Sequence, residues 1–321
     1  MLAQTLQPPK SAAMDGSVAN PRPFLALGIR LVTAVVFATM AMLVKLASER
    51  GVHLVEMIFW RQTLTLILIA GGLALLGKLA TLKTKRLRNH AGRAVMGGVG
   101  MFFTYGAVIL LPLAEATTLS YTAPFFAVVI AVAFFGEKVG IYRWAAVASG
   151  FAGVIMIMQP WQSLREVTLA GVAVALIAAA MVALISYQVQ DLNKTESPWT
   201  IIFWFTALTA PTLLIAVPFF SSGHDQQTWL IVLAMALCGA LAQILLTSSL
   251  RFGSAGVVLL MDYTSLLWAT YYGWSVFDTT PSANLWLGAP LIIGAGLLIA
   301  WRERQIAKAQ SNIETQPANA R

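Results

Sequence analysis

Of the chain's 321 residues 58% are hydrophobic, before its 24 glycines are counted, and only 11% are charged. A soluble domain is about 45–50% apolar with glycine included, so this composition excludes a soluble enzyme, a disordered chain and a fibrous repeat. The single cysteine, Cys238, excludes an intramolecular disulfide framework and any cysteine-built metal site. A formal charge of +8 would suit a nucleic-acid binder in a soluble chain. Here the basic residues form short clusters between long apolar runs, so the expected partner is a lipid bilayer and not nucleic acid.

A hydrocarbon core about 30 Å thick takes about 20 apolar residues to cross as a helix. Read with that template, the sequence predicts ten spans: Leu25–Leu46, Val55–Gly77, Ala94–Leu111, Ala116–Gly136, Ile141–Met158, Leu169–Val189, Trp199–Phe220, Trp229–Leu250, Ala255–Phe277 and Leu285–Trp301. The fold class is therefore an all-α integral membrane protein. Residues 1–23, with Pro8, Pro9, Pro21 and Pro23, and residues 305–321, polar without an apolar period, read as disordered cytoplasmic tails. No apolar stretch with a cleavage site precedes the first span, which is expected to be a retained signal-anchor. The connections leave no room for a soluble catalytic domain.

Basic residues set the orientation. With the N-terminus in the cytoplasm, all but four of the 21 lysines and arginines fall inside. Arg50 and Arg165 fall outside, and Lys45 and Arg61 lie within or at the edge of a span. An odd number of spans would put the cluster Trp301–Gln305 outside, so both termini are expected on the cytoplasmic face of the inner membrane.

The chain also repeats itself. Glu56–Arg61 (EMIFWR) matches Thr200–Phe205 (TIIFWF), and Tyr121–Phe126 (YTAPFF) matches Tyr263–Trp268 (YTSLLW), at offsets of 144 and 142 residues. Two matches at nearly one offset divide the chain into five-helix halves, residues 24–160 and 165–304. Five being odd, the second half enters the membrane from the opposite face. That is the inverted-repeat plan of secondary transporters, with a site between the halves near the midplane.

With this plan, the EMIFWR entry, the helix-end phrase Phe134–Lys138 (FFGEK) and the closing run Leu287–Arg304, the chain resembles the drug/metabolite transporter superfamily with EamA-type half-repeats. The resemblance covers residues 25–304. It departs from strict repetition where Leu266 matches Pro124 and where Asp278-Thr279 matches Gly136-Glu137. It implies a carrier of a metabolite or amino-acid-like solute, often exported, although some relatives import compounds such as riboflavin or S-adenosylmethionine.

An ionisable side chain at mid-membrane costs about 2.5–3.5 kcal/mol and is kept for a reason. Asp262, deepest in its span, is the candidate cation or proton site, and any proton coupling rests on it; its counterpart is Ser120. A helix-linking hydrogen bond is the alternative. Glu56 and Arg61 are about 140° apart on a helix and must meet different neighbours. Lys45 is the expected partner of Glu56, as an outer gate or a structural pair. Arg61, deeper, could hold a carboxylate or phosphate by two parallel hydrogen bonds. Glu115 is expected to cap the fourth helix, and Glu137 and Asp278 to play a structural or hinge role at helix exits.

Tyr105, Tyr121, Gln188, Gln243, Tyr263 and Trp268 lie in spans that line a central cavity in relatives, and would suit an amphiphilic ligand with a ring. Trp60 and Trp204 read as interfacial anchors. The glycine runs 97–100, 150–153 and 294–296 read as close helix packing. His53, His90 and His224 fall in predicted loops without a second metal ligand, and no catalytic triad or nucleotide loop occurs. The reading is a secondary-active carrier of a small organic metabolite working by alternating access, with no catalytic residues, cofactor or metal. Export is favoured and vitamin or nucleoside-type uptake is the alternative; an integral-membrane enzyme or a channel is a remote one. A homodimer is left open.

Overall fold

The computed structural model describes residues 23–136, 140–158, 168–249 and 263–314. These form helices α1 (Pro23–Glu49), α2 (Leu54–Leu75), α3 (Leu87–Leu110), α4 (Leu113–Ser120), α5 (Ala123–Phe135), α6 (Ile141–Met158), α7 (Leu169–Asn193), α8 (Pro198–Phe220), α9 (Gln226–Ser249), α10 (Ser265–Phe277) and α11 (Leu285–Glu314). No strand occurs among the described residues. Among the described residues seven stretches are long and apolar enough to cross a membrane, counting Leu113–Ala133 as one, and Trp144–Ile157 and Leu285–Leu298 are shorter apolar helices. Of the expected ninth span only residues 263–277 lie within the described residues.

Local chemistry explains the ends. Thr168 and Ser197 accept from the backbone N–H three residues on, at 3.1 and 3.2 Å, and Pro198 opens α8 where a missing N–H costs nothing. α5 and α10 both stop on a left-handed residue, Gly136 (φ 63°) and Asp278 (φ 50°). These are the matched positions at which the two halves differ in residue type. Aspartate is one of the few side chains that tolerates this conformation, so the departure keeps the geometry. Thr279 then closes α10 by donating both N–H and hydroxyl to the Gly273 carbonyl, at 3.0 and 2.9 Å.

Three expectations are corrected. The fourth span is not one helix: a turn at Tyr121-Thr122 separates α4 from α5, which restarts with Pro124 in its first turn. The third helix begins at Leu87 rather than Ala94, because a polar turn propagates it beyond the apolar run. The expected C-terminal tail is helical as far as Glu314, its Glu, Arg, Gln, Ala and Lys being good helix formers with no glycine or proline before Pro317.

The contacts obey a two-fold rule. Exchange of the halves maps α1 to α7, α2 to α8, α3 to α9, α4–α5 to α10 and α6 to α11. The packing of α1 on α9 is then mirrored by α7 on α3, and that of α2 on α9 by α8 on α3. α2 meets α8, α4 meets α10, and α6 meets α11. This is the arrangement of two inverted five-helix repeats. Between α6 and α11, Gly153 and Gly288 let the backbones approach so closely that a Cβ on Gly288 would stand 2.7 Å from the Gly153 carbonyl oxygen. Apolar side chains such as Leu75, Ile215 and Phe219, respectively 92%, 73% and 82% exposed, cover the outside.

Connections alternate between two faces. On the first, Lys45 Nζ donates to the Leu111 carbonyl (2.7 Å), Arg50 Nη1 to Gln227 Oε1 (3.3 Å) and the Ser282 N–H to Glu115 Oε1 (3.3 Å). On the second, Thr84 donates to Glu196 Oε1 (2.6 Å), Arg86 pairs with Asp191, and Trp204 Nε1 donates to the Leu82 carbonyl (2.9 Å). As expected of a carboxylate at the positive end of the helix dipole, buried Glu115 lies in the first turn of α4, and its Oε1 also accepts from the turn before α11.

Candidate functional site

Among the described residues, Arg61 and Arg93 lie within Coulombic reach of each other inside the bundle. Arg61 projects from α2 about 10 Å along the helix from the first face. It is only 8% exposed. Its stem lies over Gly239 of α9, where a Cβ would come within 2.6 Å of Nε. Nη1 donates to the Met101 sulfur of α3 at 3.3 Å, and Nε has no partner. Tyr105, a turn beyond Met101, is buried within Coulombic reach of Arg61, its hydroxyl against the Met40 sulfur at 3.9 Å.

A second arginine enters from the other face. Arg93 of α3 folds its guanidinium back over Gly97, where a Cβ would stand 1.9 Å from Nη1, and lies on the Phe205 ring of α8, 4.3 Å from its centroid. Its Nε and Nη1 are buried and unpaired. Arg93 lies within Coulombic reach of Arg61. The orientation count treats Arg93 as a surface charge; the sequence signal that could have flagged it is the glycine one turn on, which leaves a long cation room to turn inward. Gln188 of α7 reaches this region of α3, its Nε2 donating to the Met96 sulfur at 2.7 Å while Oε1 stays unpaired.

The turns at Tyr121-Thr122 and Tyr263-Thr264 make a second cluster. The Tyr121 and Tyr263 rings meet edge to face with centroids 4.8 Å apart. The Tyr121 hydroxyl lies 2.8 Å from Ser265 Oγ and donates to the Tyr263 carbonyl at 3.4 Å. The matched YT motifs thus touch where α4–α5 crosses α10. Trp268 stands apart on the half-exposed side of α10 with Tyr271 and Tyr272, and Tyr272 bonds Thr39 of α1 at 2.9 Å. Gln243 is half-buried in α9. Asp262, and with it the proton-site expectation, lies outside the described residues, as does Glu137.

The expected Lys45–Glu56 pair is corrected. Lys45 caps the end of α3 at Leu111 and lies over the Phe277 ring, whereas fully buried Glu56 meets His224 Nε2 at 3.0 Å. One helical turn cannot bring the two together across the α1–α2 connection, while the loop before α9 lays His224 directly on Glu56. Of the histidines expected in loops, His53 and His224 do lie in loops, and only His90 is corrected. His90 is buried within α3 beside Trp204, and His53 caps α2. Trp204 has an interfacial carbonyl, whereas Trp60 faces Trp229 with its Nε1 unpaired. The groove there, between α2 and α9, holds about 310 Å³ and is lined by Trp60, Thr63, Ile67, Trp229, Leu233 and Ala236, so it offers no charge.

Residues 24–159 match the EamA-like transporter family, and residues 169–301 match it a second time. The chain belongs to that family. Among its EamA-like relatives, a riboflavin transporter of Rhizobium johnstonii is 32% identical over 76% of this chain and 80% of its own length. A riboflavin transporter of Vibrio cholerae is 28% identical over 78% of this chain and 84% of its own length. One solved crystal structure superposes with a TM-score of 0.58 at 21% identity, covering 87% of this chain and 98% of its own, a likeness of fold. The protein is a multi-pass membrane transporter of a small molecule.

Proposed function

We propose that this EamA-like protein is a secondary carrier for a flat, acceptor-rich ring compound of the riboflavin class, working by alternating access. The observation that carries the reading is the like-for-like pairing of helices between the halves, with the matched turns meeting at Tyr121 and Tyr263. Halves joined through self-paired contacts can rock against each other and expose one central region to either side in turn. Arg61, Tyr105, Gln188 and Gln243, with Tyr121 and Tyr263, form the solute path. The amide donors of Gln188 and Gln243 suit ring carbonyls, and tyrosine faces suit the ring. Similarity to two riboflavin transporters supports the vitamin-type reading over export of an amino-acid-like metabolite. Glu56 and His224 latch the first face, and Lys45 ties α1 to α3 behind them.

Lys78, Lys83, Lys85, Arg86, Arg88 and Lys194 gather on the second face, which supports placing that face in the cytoplasm. The reading puts the carrier in the inner membrane with both termini inside. Purified protein in liposomes loaded with unlabelled riboflavin should accelerate entry of labelled riboflavin, with saturation. Linear flux without this exchange, or none above empty liposomes, refutes the reading.

A further inference from the structure

Arg61 and Arg93 together are a chemical anomaly. They sit on different helices and enter from opposite faces, yet their guanidinium groups repel each other inside the same bundle. Among the described residues neither meets a carboxylate, and three of their N–H-bearing nitrogens are buried and unpaired. Their present contacts are a thioether sulfur, a weak acceptor, and an aromatic face. A buried cation without a counter-charge is costly, and two in mutual reach are costlier. Each cavity is also specific: a methyl at Gly97 or Gly239 would strike the side chain it accommodates.

We propose that Arg61 and Arg93 jointly bind an acidic group on the solute, a phosphate monoester by preference. The planar, multi-donor guanidinium is matched to phosphate oxygens, and two cations suit a dianion better than a single carboxylate. The unpaired nitrogens are enclosed, so the anion reaches them as the halves part, and its arrival neutralises their repulsion and favours closure around it. The Phe205 face under Arg93 supports that guanidinium without competing for its donors. This deepens the carrier reading and rests on it: within the riboflavin class the phosphorylated compound is the better ligand.

The test is binding to the purified full-length protein, by calorimetry and thermal shift, with riboflavin, riboflavin 5′-phosphate and inorganic phosphate as probes. The phosphate ester should bind at least about tenfold more tightly than riboflavin, and Arg93→Gln and Arg61→Gln should each abolish that preference. Both changes remove an uncompensated charge, so the unliganded variants should melt no lower than the parent; Arg61→Lys, which keeps charge but not the fork, should keep only part of the preference. Equal affinity for the two flavins, or a preference that survives Arg93→Gln, overturns the proposal. If neither flavin binds, the riboflavin-class reading falls. The anion site then stands if inorganic phosphate stabilises the parent but not Arg93→Gln, and falls if it stabilises both or neither.

Discussion

Substitution at Gly153 and Gly288 tests the packing that joins the halves. A Cβ at residue 288 would lie 2.5 Å from Ile157 Cγ1 and 2.7 Å from the Gly153 carbonyl oxygen, and one at residue 153 would lie 2.8 Å from both the Gly288 oxygen and Ile292 Cγ1. Ordinary contact begins at 3.4 Å, and backbone atoms cannot swing aside, so α6 and α11 must part by roughly 0.6–0.7 Å. A gap of that size forfeits about a quarter to a half of each contact's dispersion energy. Ile157 and Ile292 are fully buried, with dispersion contacts worth roughly 5 kcal/mol each, of which about a third cross the contact line. The loss is about 1–1.5 kcal/mol, and residual crowding brings each alanine change to about 2 kcal/mol. Because one separation relieves both clashes, Gly153→Ala/Gly288→Ala should cost about 1–2 kcal/mol less than the sum of the single changes. Reversible unfolding in mixed micelles, followed by tryptophan fluorescence, measures all three. Single changes within about 0.5 kcal/mol of the parent, or strict additivity, would refute the argument.

Tyr121→Phe removes the hydroxyl contact to Ser265 and should cost about 1 kcal/mol in the same unfolding assay. His224→Ala strands the buried Glu56 carboxylate and should destabilise by about 2–3 kcal/mol, with Glu56→Gln on top of it recovering part of the loss. Thr84→Cys and Gly223→Cys, made in a Cys238→Ala background, should react with an impermeant maleimide from opposite compartments. Hydrogen bonds from Thr228 hold Asp225 below the ordinary carboxylate range. A carboxyl depressed in the folded state contributes stability above its unfolded pKa and loses it as the pH falls through the folded one. The melting difference between parent and Asp225→Asn should therefore be constant at neutral pH and vanish only in strong acid.

The spans were legible because hydrocarbon thickness imposes one length on every helix, and the repeat because YTAPFF and YTSLLW preserve a structural crossing. Even the Asp278 departure hid a shared left-handed stop. Partnerships were not legible. Glu56 meets a histidine 168 positions away, and nothing local distinguishes His224 from the nearer cation at Lys45. Arg93 sits where a charge ordinarily belongs to the headgroup region; only the absent Cβ at Gly97 and the Phe205 ring turn it inward. The break at Tyr121-Thr122 was half visible, since Pro124 forbids an unbroken hydrogen-bond ladder but leaves the location of the turn to packing.

The glycine contact between α6 and α11 also constrains motion. Two backbones meshed more tightly than a methyl group allows cannot slide along each other without a carbonyl striking the opposing chain, but they can tilt about their point of nearest approach. That point is a fulcrum. Displacement must grow with distance from it, so the helices remote from α6 and α11, where the arginines lie, travel furthest when the protein changes the side to which it opens.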